Sequence, residues 1–104
     1  MGFLHMHYLG NVQKSILNDL KICIKNGSDF SEILDKLKEF ILEDLETQNH
    51  RIQAHLEEAL WRIDEELKRK IRKEKRDDII NKLREIIEED KRYNKLIKKF
   101  ENTN

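Results

Sequence analysis

The four histidines are the residues of this sequence best suited to bind a metal ion, but their spacing does not favour a site. His5 and His7 alternate in the opening segment, whereas His50 and His55 are five residues apart and therefore diverge on a helix. The sequence contains neither the helical Glu-x-x-His pattern of carboxylate metal bundles nor an HExxH or CxxC motif. We therefore predict no metal site and no cofactor.

Nucleophilic and acid–base catalysis also lack a well-placed residue. Cys23, the single cysteine, falls on the predicted apolar face of the first helix, where a buried thiol is usually inert. One cysteine excludes an intramolecular disulfide and is typical of a reducing compartment. Asp90 interrupts the apolar stripe of the last helix, and either fraying or a basic partner explains it better than catalysis. We predict that the protein is not an enzyme and assign no catalytic residue.

The segment LKRKIRKEKRDD, residues 67–78, is the strongest candidate for binding phosphates, with seven Lys and Arg against one Glu over residues 68–76. On a helical wheel of about 100° per residue, these cations cover most of the circumference that Leu67 and Ile71 leave free. They include no aromatic residue for stacking on bases. The pattern favours a solvated face that also pairs with an acidic helix; the alternative is a surface for nucleic acid or an acidic partner. The possible phosphate-contacting residues are Lys68, Arg69, Arg72, Lys73 and Arg76.

The charges are distributed unevenly along the chain, although they sum to zero. Residues 1–27 carry three basic and one acidic side chain, or +2, and residues 28–66 carry four basic and twelve acidic, or −8. Residues 67–104 carry fourteen basic and eight acidic, or +6. A neutral total argues against wholesale binding to nucleic acid. We predict that antiparallel packing pairs the acidic middle segment with the basic final segment, within one chain or between two.

Trp61 lies away from the main apolar stripe of its helix. On the helical wheel it is about 160° from Ile63, among acidic residues, and Ala54 lies two turns earlier beside it. The favoured interpretation is that a central helix packs on two sides and that Trp61 fills the second contact. The alternative is an anchor for a partner, because tryptophan is enriched among interface hot spots. Ile33 and Phe40 widen the stripe of the second helix, so the candidate partner-binding residues are Trp61, Ala54, Ile33 and Phe40.

Helices must position these side chains. Glycine occurs only at positions 2, 10 and 27, proline is absent, and the helix formers Glu, Lys, Leu and Ile dominate. The first helix ends before Gly27, which can adopt the left-handed conformation that follows a helix. Asp29 and Glu32 resemble a capping box that opens the second helix, with Ser28 as a competing N-cap.

Beyond this boundary the apolar residues recur every eleven positions, a period of about 3.67 residues per turn. One long helix over residues 30–71 would satisfy this period. The competing interpretation is a turn at TQNH, residues 47–50, where Thr, Asn and His are poor helix formers. The turn is slightly favoured, because helices of more than about 40 residues are rare.

A separate apolar stripe begins at Ile79 and implies a kink or turn near residues 75–78, with Asp77 as N-cap. We predict an all-α fold: an antiparallel bundle of three to four amphipathic helices, with the long helix as an option. The 104 residues are expected to form a single helical domain, with an apolar leader over residues 1–10 and a frayed tail over residues 101–104.

The sequence places the protein outside membranes. No apolar run approaches the roughly 20 residues of a membrane span, and the opening segment lacks the basic region of a signal peptide, so we predict a cytoplasmic protein. The predicted function is that of a non-enzymatic module for protein–protein interaction or oligomerisation, an adaptor or small subunit, with a homo-oligomer as the preferred assembly. The alternative is a nucleic-acid-associated protein that contacts phosphates through its basic C-terminal helices. No small-molecule substrate is inferred.

Overall fold

The computed structural model describes the backbone of residues 11–48 and 51–101 and the side chains of residues 13–48 and 51–99. This part of the chain forms five α-helices. They are α1 (Asn11–Asn26), α2 (Ser31–Glu46), α3 (Ile52–Leu67), α4 (Lys73–Glu88) and α5 (Lys91–Glu101). These residues contain no strand, so the all-α prediction is confirmed. The predicted count of three to four helices is wrong, because the last apolar stripe is divided between α4 and α5. The leader and the residues after Glu101 lie outside the described residues.

Gly27 ends α1 as the sequence predicts. Its φ angle is 71°, in the left-handed region that side chains with a Cβ disfavour. Its N–H donates to the carbonyl of Ile24 at 3.2 Å, and the N–H of Ser28 donates to the carbonyl of Cys23 at 2.8 Å. These two bonds form a Schellman motif, which satisfies the last carbonyls of the helix.

The start of α2 differs in detail from the predicted capping box. Phe30 occupies the N-cap position and makes no side-chain cap hydrogen bond, so neither Asp29 nor Ser28 is the cap. The Asp29 carboxylate instead accepts hydrogen bonds from the backbone N–H and the hydroxyl of Ser31, at 3.1 and 2.8 Å. The bond from the hydroxyl is the main reason why the pKa of Asp29 is lowered.

A break separates α2 from α3, so the favoured turn is confirmed and the single helix over residues 30–71 is wrong. No glycine is needed there, because polar groups close the end of α2. The Thr47 hydroxyl donates to the carbonyl of Asp44 at 2.7 Å, and Arg51 adopts a left-handed φ of 59° before α3 begins. Residues 49 and 50, the second half of the predicted turn, lie outside the described residues.

The break between α3 and α4 lies at residues 68–72, upstream of the predicted kink, and Asp77 is not an N-cap. Arg76 accounts for the difference, because it belongs to α4 and is buried rather than solvated. Its guanidinium donates to the carboxylate of Asp64 at 3.0 Å and to the backbone carbonyl of Ile71 at 2.7 Å. The chain therefore turns before Arg76, and this side chain fastens the turn to α3.

A further break at residues 89–90 separates α4 from α5. The Asp90 carboxylate accepts the backbone N–H of Arg92 at 2.9 Å, in the first turn of α5. The side-chain amide of Asn94 donates to the carbonyl of Glu88 at 3.2 Å. Polar side chains thus cap both helix ends at this corner.

The core lies around α2 and α3, each of which contacts all four other helices. It consists almost entirely of leucine and isoleucine, and burial of each such side chain contributes about 1.5–3 kcal/mol. The residues with 0% exposure are Leu20, Leu42, Leu56, Leu67, Ile79, Leu83 and Ile87. The opposite side of each helix remains at the surface and carries charged side chains.

Candidate functional site

A cleft lies where α1 meets the connection between α3 and α4. Its volume of about 620 Å³ is within the range of about 300–1,000 Å³ that is typical of ligand sites. Five lining residues are cations, and none of the described lining residues is acidic. We call this site the cationic cleft; its cations are Lys21, Lys25, Lys70, Arg72 and Lys75, and the remaining lining residues are Asn18, Ile22, Ile24 and Ile71.

Two helices and one connection bring the cations together. Lys21 and Lys25 are four residues apart on α1 and therefore share a face. Ile22 lies beside them and is 50% exposed, whereas Ile71 in the connection is buried. The apolar part of the lining is thus partly in contact with water, and a partner that covers Ile22 gains free energy from its burial.

The start of α4 carries charges that a helix N-terminus disfavours. The free N–H groups at this end act as roughly half a positive charge and favour acidic side chains. Lys73, Lys75 and Arg76 nevertheless lie among its first four residues, with Glu74 as the one acidic side chain there. Departures of this kind from local preference are expected at functional sites, and an anion bound in the cleft would relieve the repulsion at Lys75.

The structure separates the five residues that were predicted to contact phosphates. Arg76 belongs to the fold, so its assignment to a phosphate surface is wrong. Lys68 and Lys73 each lie near a carboxylate of a neighbouring helical turn, at 3.7 and 3.6 Å. Arg72 lines the cationic cleft, and Arg69 is exposed outside it. The predicted surface is therefore not assembled as a unit.

Sequence reasoning missed Lys21 and Lys25, which supply the α1 side of the cleft. Lys25 precedes Lys70 by 45 residues, and only the packing of α1 brings them together. One local signal was present: Ile22 does not belong to the apolar stripe of α1 and lies between two lysines of the same face.

Three arginines of the basic segment bind carboxylates of the acidic segment across helix interfaces. The pairs are Arg76 with Asp64 at 3.0 Å, Arg84 with Glu57 at 2.5 Å, and Arg92 with Glu39. The third pair is bidentate, with Nη1 of Arg92 at 2.9 Å from Oε1 of Glu39, a geometry that adds strength and direction. The predicted pairing of the two segments thus occurs within one chain.

Asp90 lies among cations at the corner between α4 and α5. Its carboxylate is 3.2 Å from Nζ of Lys38 and accepts hydrogen bonds from the backbone N–H and Nε of Arg92. These bonds, led by that of the backbone N–H, lower the pKa of Asp90 to about 2. The same cluster raises the pKa of Arg92, with the hydrogen bond to Glu39 as the largest cause. A basic partner, rather than fraying, therefore explains Asp90.

The four predicted partner-binding residues fall into two groups. Trp61 is 51% exposed, and the Arg62 guanidinium lies 4.6 Å from its ring centroid, so the interpretation that Trp61 fills a second packing contact is wrong. Ala54 is also exposed on α3. Ile33 and Phe40 on α2 are half-buried and pack against the core. Of the four, only Trp61 and Ala54 are exposed.

The outer side of α2 carries a row of carboxylates. Steps of three or four residues place them on one helix face, and all of them are exposed. Arg92 binds Glu39, the middle one. The row spans about 21 Å at 1.5 Å per residue. We call it the acidic face of α2; its members are Glu32, Asp35, Glu39, Glu43 and Glu46.

Within the described residues, no group of three His, Cys, Asp or Glu side chains is arranged to hold a metal ion. His55 in α3 and Cys23 in α1 are both half-buried, whereas His5, His7 and His50 lie outside the described residues. None of the described helices combines the length and apolar character that crossing a membrane requires.

In comparisons with known proteins, no family model, curated protein or solved structure matches the chain.

Proposed function

We propose that this chain is a non-enzymatic helical interaction protein whose cationic cleft binds an acidic segment of a protein partner. The observation that carries the proposal is the composition of the cleft. Five cations line it without a carboxylate among its described residues, and Ile22 beside them is half exposed. A segment that combines carboxylates with an apolar side chain complements both parts of this lining.

Charge and apolar burial both contribute to the expected affinity. An exposed ion pair is worth about 0–1 kcal/mol, so the five cations supply a few kcal/mol at most, and salt screens them over about 8 Å under physiological conditions. Full burial of an isoleucine is worth about 1.5–3 kcal/mol, of which roughly half remains to be gained at Ile22. After the costs of association, we expect a dissociation constant on the order of 10 μM to 1 mM.

Three features favour a protein segment over nucleic acid as the occupant. None of the described residues that line the cleft is aromatic, so they offer unpaired bases no stacking partner. The isoleucines present apolar surface that a sugar–phosphate backbone would leave uncovered. The buried Arg76 also removes one cation from the basic run on which the nucleic-acid alternative depends.

A charge-reversal series tests the proposal. The cleft variant is Lys21→Glu, Lys25→Glu and Lys75→Glu. The control variant is Lys82→Glu, Lys91→Glu and Lys95→Glu, which changes the charge equally at exposed lysines outside the cleft. A short synthetic peptide of glutamate and leucine is titrated into each protein, and binding is followed by NMR on the isotope-labelled chain. The cleft variant should bind at least about tenfold more weakly, or 1.4 kcal/mol, and the control variant should bind like the wild type.

Two results would count against the proposal. Equal weakening in the cleft and control variants would mean that the peptide responds to overall charge rather than to the cleft. Tighter, cleft-dependent binding of a short DNA duplex than of the peptide would assign the cleft to phosphates. Circular dichroism of each variant verifies that the helices persist.

A further inference from the structure

We infer that the acidic segment bound in the cationic cleft is the acidic face of α2 from a second copy of this chain. The inference rests on the proposed function, because it names the partner of the same cleft. The contact joins two different surfaces, the cleft of one protomer and the acidic face of its partner.

Both surfaces carry charges that the fold leaves without an ion-pair partner. Among the described residues, none of the five cleft cations forms a salt bridge, and Glu39 is the one member of the acidic face that does. In a contact between two copies, the five cations of one cleft could therefore pair with the four unpaired carboxylates of the other copy's acidic face. A second copy can neutralise surfaces that a single copy cannot.

The net charge of the chain permits this contact. A net charge far from zero makes copies of a protein repel one another, whereas this chain has a formal net charge of zero. Its surplus charges are instead separated into a positive and a negative surface. Attraction between these surfaces is therefore not opposed by repulsion between the whole molecules.

The acidic face also has an apolar border that suits Ile22 of the cleft. On a helical wheel of about 100° per residue, Phe40 and Ile33 lie within about 80° of Glu43. Both are half-buried against the core, so part of each side chain remains available at the surface. The partner copy would thus bring carboxylates to the lysines and apolar surface to Ile22.

Two copies can exchange this contact reciprocally in a two-fold dimer; otherwise the contact is heterologous and either closes in a ring or continues from copy to copy. In both cases each contact needs one intact cleft and one intact acidic face. Two variants that each lack one surface should consequently associate with each other better than with themselves.

Sedimentation velocity of the full chain and of charge-reversed variants tests the inference. The acidic-face variant is Glu32→Lys, Asp35→Lys and Glu43→Lys, which leaves Glu39 bound to Arg92. The wild type should self-associate at low salt and about tenfold more weakly in 0.5 M NaCl, where charges are screened. The cleft variant and the acidic-face variant should each associate at least about tenfold more weakly than the wild type, because like charges then oppose each other. Their equimolar mixture should regain association, and the control variant should behave like the wild type.

A wild type that stays monomeric at low salt, or a mixture that stays monomeric while both variants remain helical, would overturn the inference. The acidic peptide, titrated into the acidic-face variant, separates this failure from that of the proposed function. Peptide binding to its intact cleft without self-association of the wild type leaves the proposed function standing and removes the second copy. Absence of peptide binding to that cleft removes the proposed function itself.

Carbodiimide cross-linking of the wild type gives a measurement that does not depend on folded variants. The reagent joins a lysine to a carboxylate in direct contact, and mixing labelled with unlabelled chains identifies links between copies. Links between chains should join lysines of the cleft to carboxylates of α2. Links between chains that avoid these two surfaces would place the contact elsewhere and overturn the inference.

Discussion

Replacement of Arg76 by methionine tests whether the fold uses the most buried cation of the basic run. The side chain is 11% exposed and lies 3.0 Å from Asp64, and it also donates to the buried carbonyl of Ile71. Methionine retains an unbranched side chain that fills irregular space but removes the charge and both hydrogen bonds. Asp64 and the Ile71 carbonyl would then lose these partners.

The expected loss of stability follows from these two contacts. Breaking a buried ion pair by removing one partner costs about 3–5 kcal/mol. Asp64 is 32% exposed, and water can solvate it, so we reduce this contribution to about 1–2 kcal/mol. The carbonyl left without a donor adds about 1–2 kcal/mol. The free energy of unfolding should fall by about 2–4 kcal/mol in total, or roughly 10–30 °C in Tm for a chain of this size.

Urea unfolding followed by circular dichroism measures the change, and Arg69→Met serves as the matched control. Arg69 is an exposed cation of the same run, and its replacement should alter stability by no more than about 0.5 kcal/mol. If Arg76→Met costs as little as Arg69→Met, the fold does not depend on the Arg76 contacts. Arg76 would then be available again to a phosphate or an acidic partner.

Three further perturbations follow from the described contacts. The pKa of Asp90 lies at about 2 rather than 3.8. The ionised carboxylate therefore contributes its full stabilisation above pH 3.8, and this contribution is lost as the pH falls towards 2. Asp90→Asn should flatten this part of the acid-unfolding curve. Gly27→Ala should lower the free energy of unfolding in urea by about 1–2 kcal/mol, because its φ of 71° is unfavourable for a residue with a Cβ. No atom lies within 4 Å of the added Cβ, so this cost comes from the backbone conformation alone. Asn26→Ala, the control, should be nearly neutral. Trp61→Ala should lower the free energy of unfolding by about 1 kcal/mol or less, against about 3–5 kcal/mol for a buried tryptophan. It should leave self-association in sedimentation unchanged; loss of association would show that the contact involves α3 rather than α2.

Local features of the sequence were sufficient to locate the boundary between α1 and α2. Gly27 ends a helix through its own backbone freedom, and Asp29 forms hydrogen bonds with a residue two positions away, so neither depends on distant packing. The turn between α2 and α3 has a weaker signal in the sequence, because Thr47 ends the helix through a hydroxyl hydrogen bond where no glycine or proline is present.

The position of Arg76 could not be read from its neighbours in sequence. On a wheel it belongs to a continuous cationic surface, and its burial depends on Asp64 one helix earlier and on the carbonyl of Ile71. Burial of a cation is costly without such partners, so prediction of this site requires prediction of the packing. The same reason hid the α1 lysines of the cationic cleft.

The corner between α4 and α5 carried a signal that the predicted stripe did not use. Ile87 and Tyr93 are six residues apart, which places them about 120° apart on a helix rather than on one face. Asp90 lies between them and binds Lys38 and Arg92. The interruption of the apolar stripe at Asp90 therefore marks the break between α4 and α5.

Arginine and lysine are used at mostly different positions in this chain. The three described ion pairs in which a cation of the basic segment binds a carboxylate of the acidic segment all use arginine, whereas four of the five cleft cations are lysines. Arginine is always charged and binds carboxylates with a planar fork, whereas lysine is a flexible point charge that can be acetylated. Acetylation removes the charge of a lysine and would therefore discharge most of the cleft while leaving these interhelix pairs intact. Acetylation of the cleft lysines would thus abolish the proposed binding in a chain that stays folded.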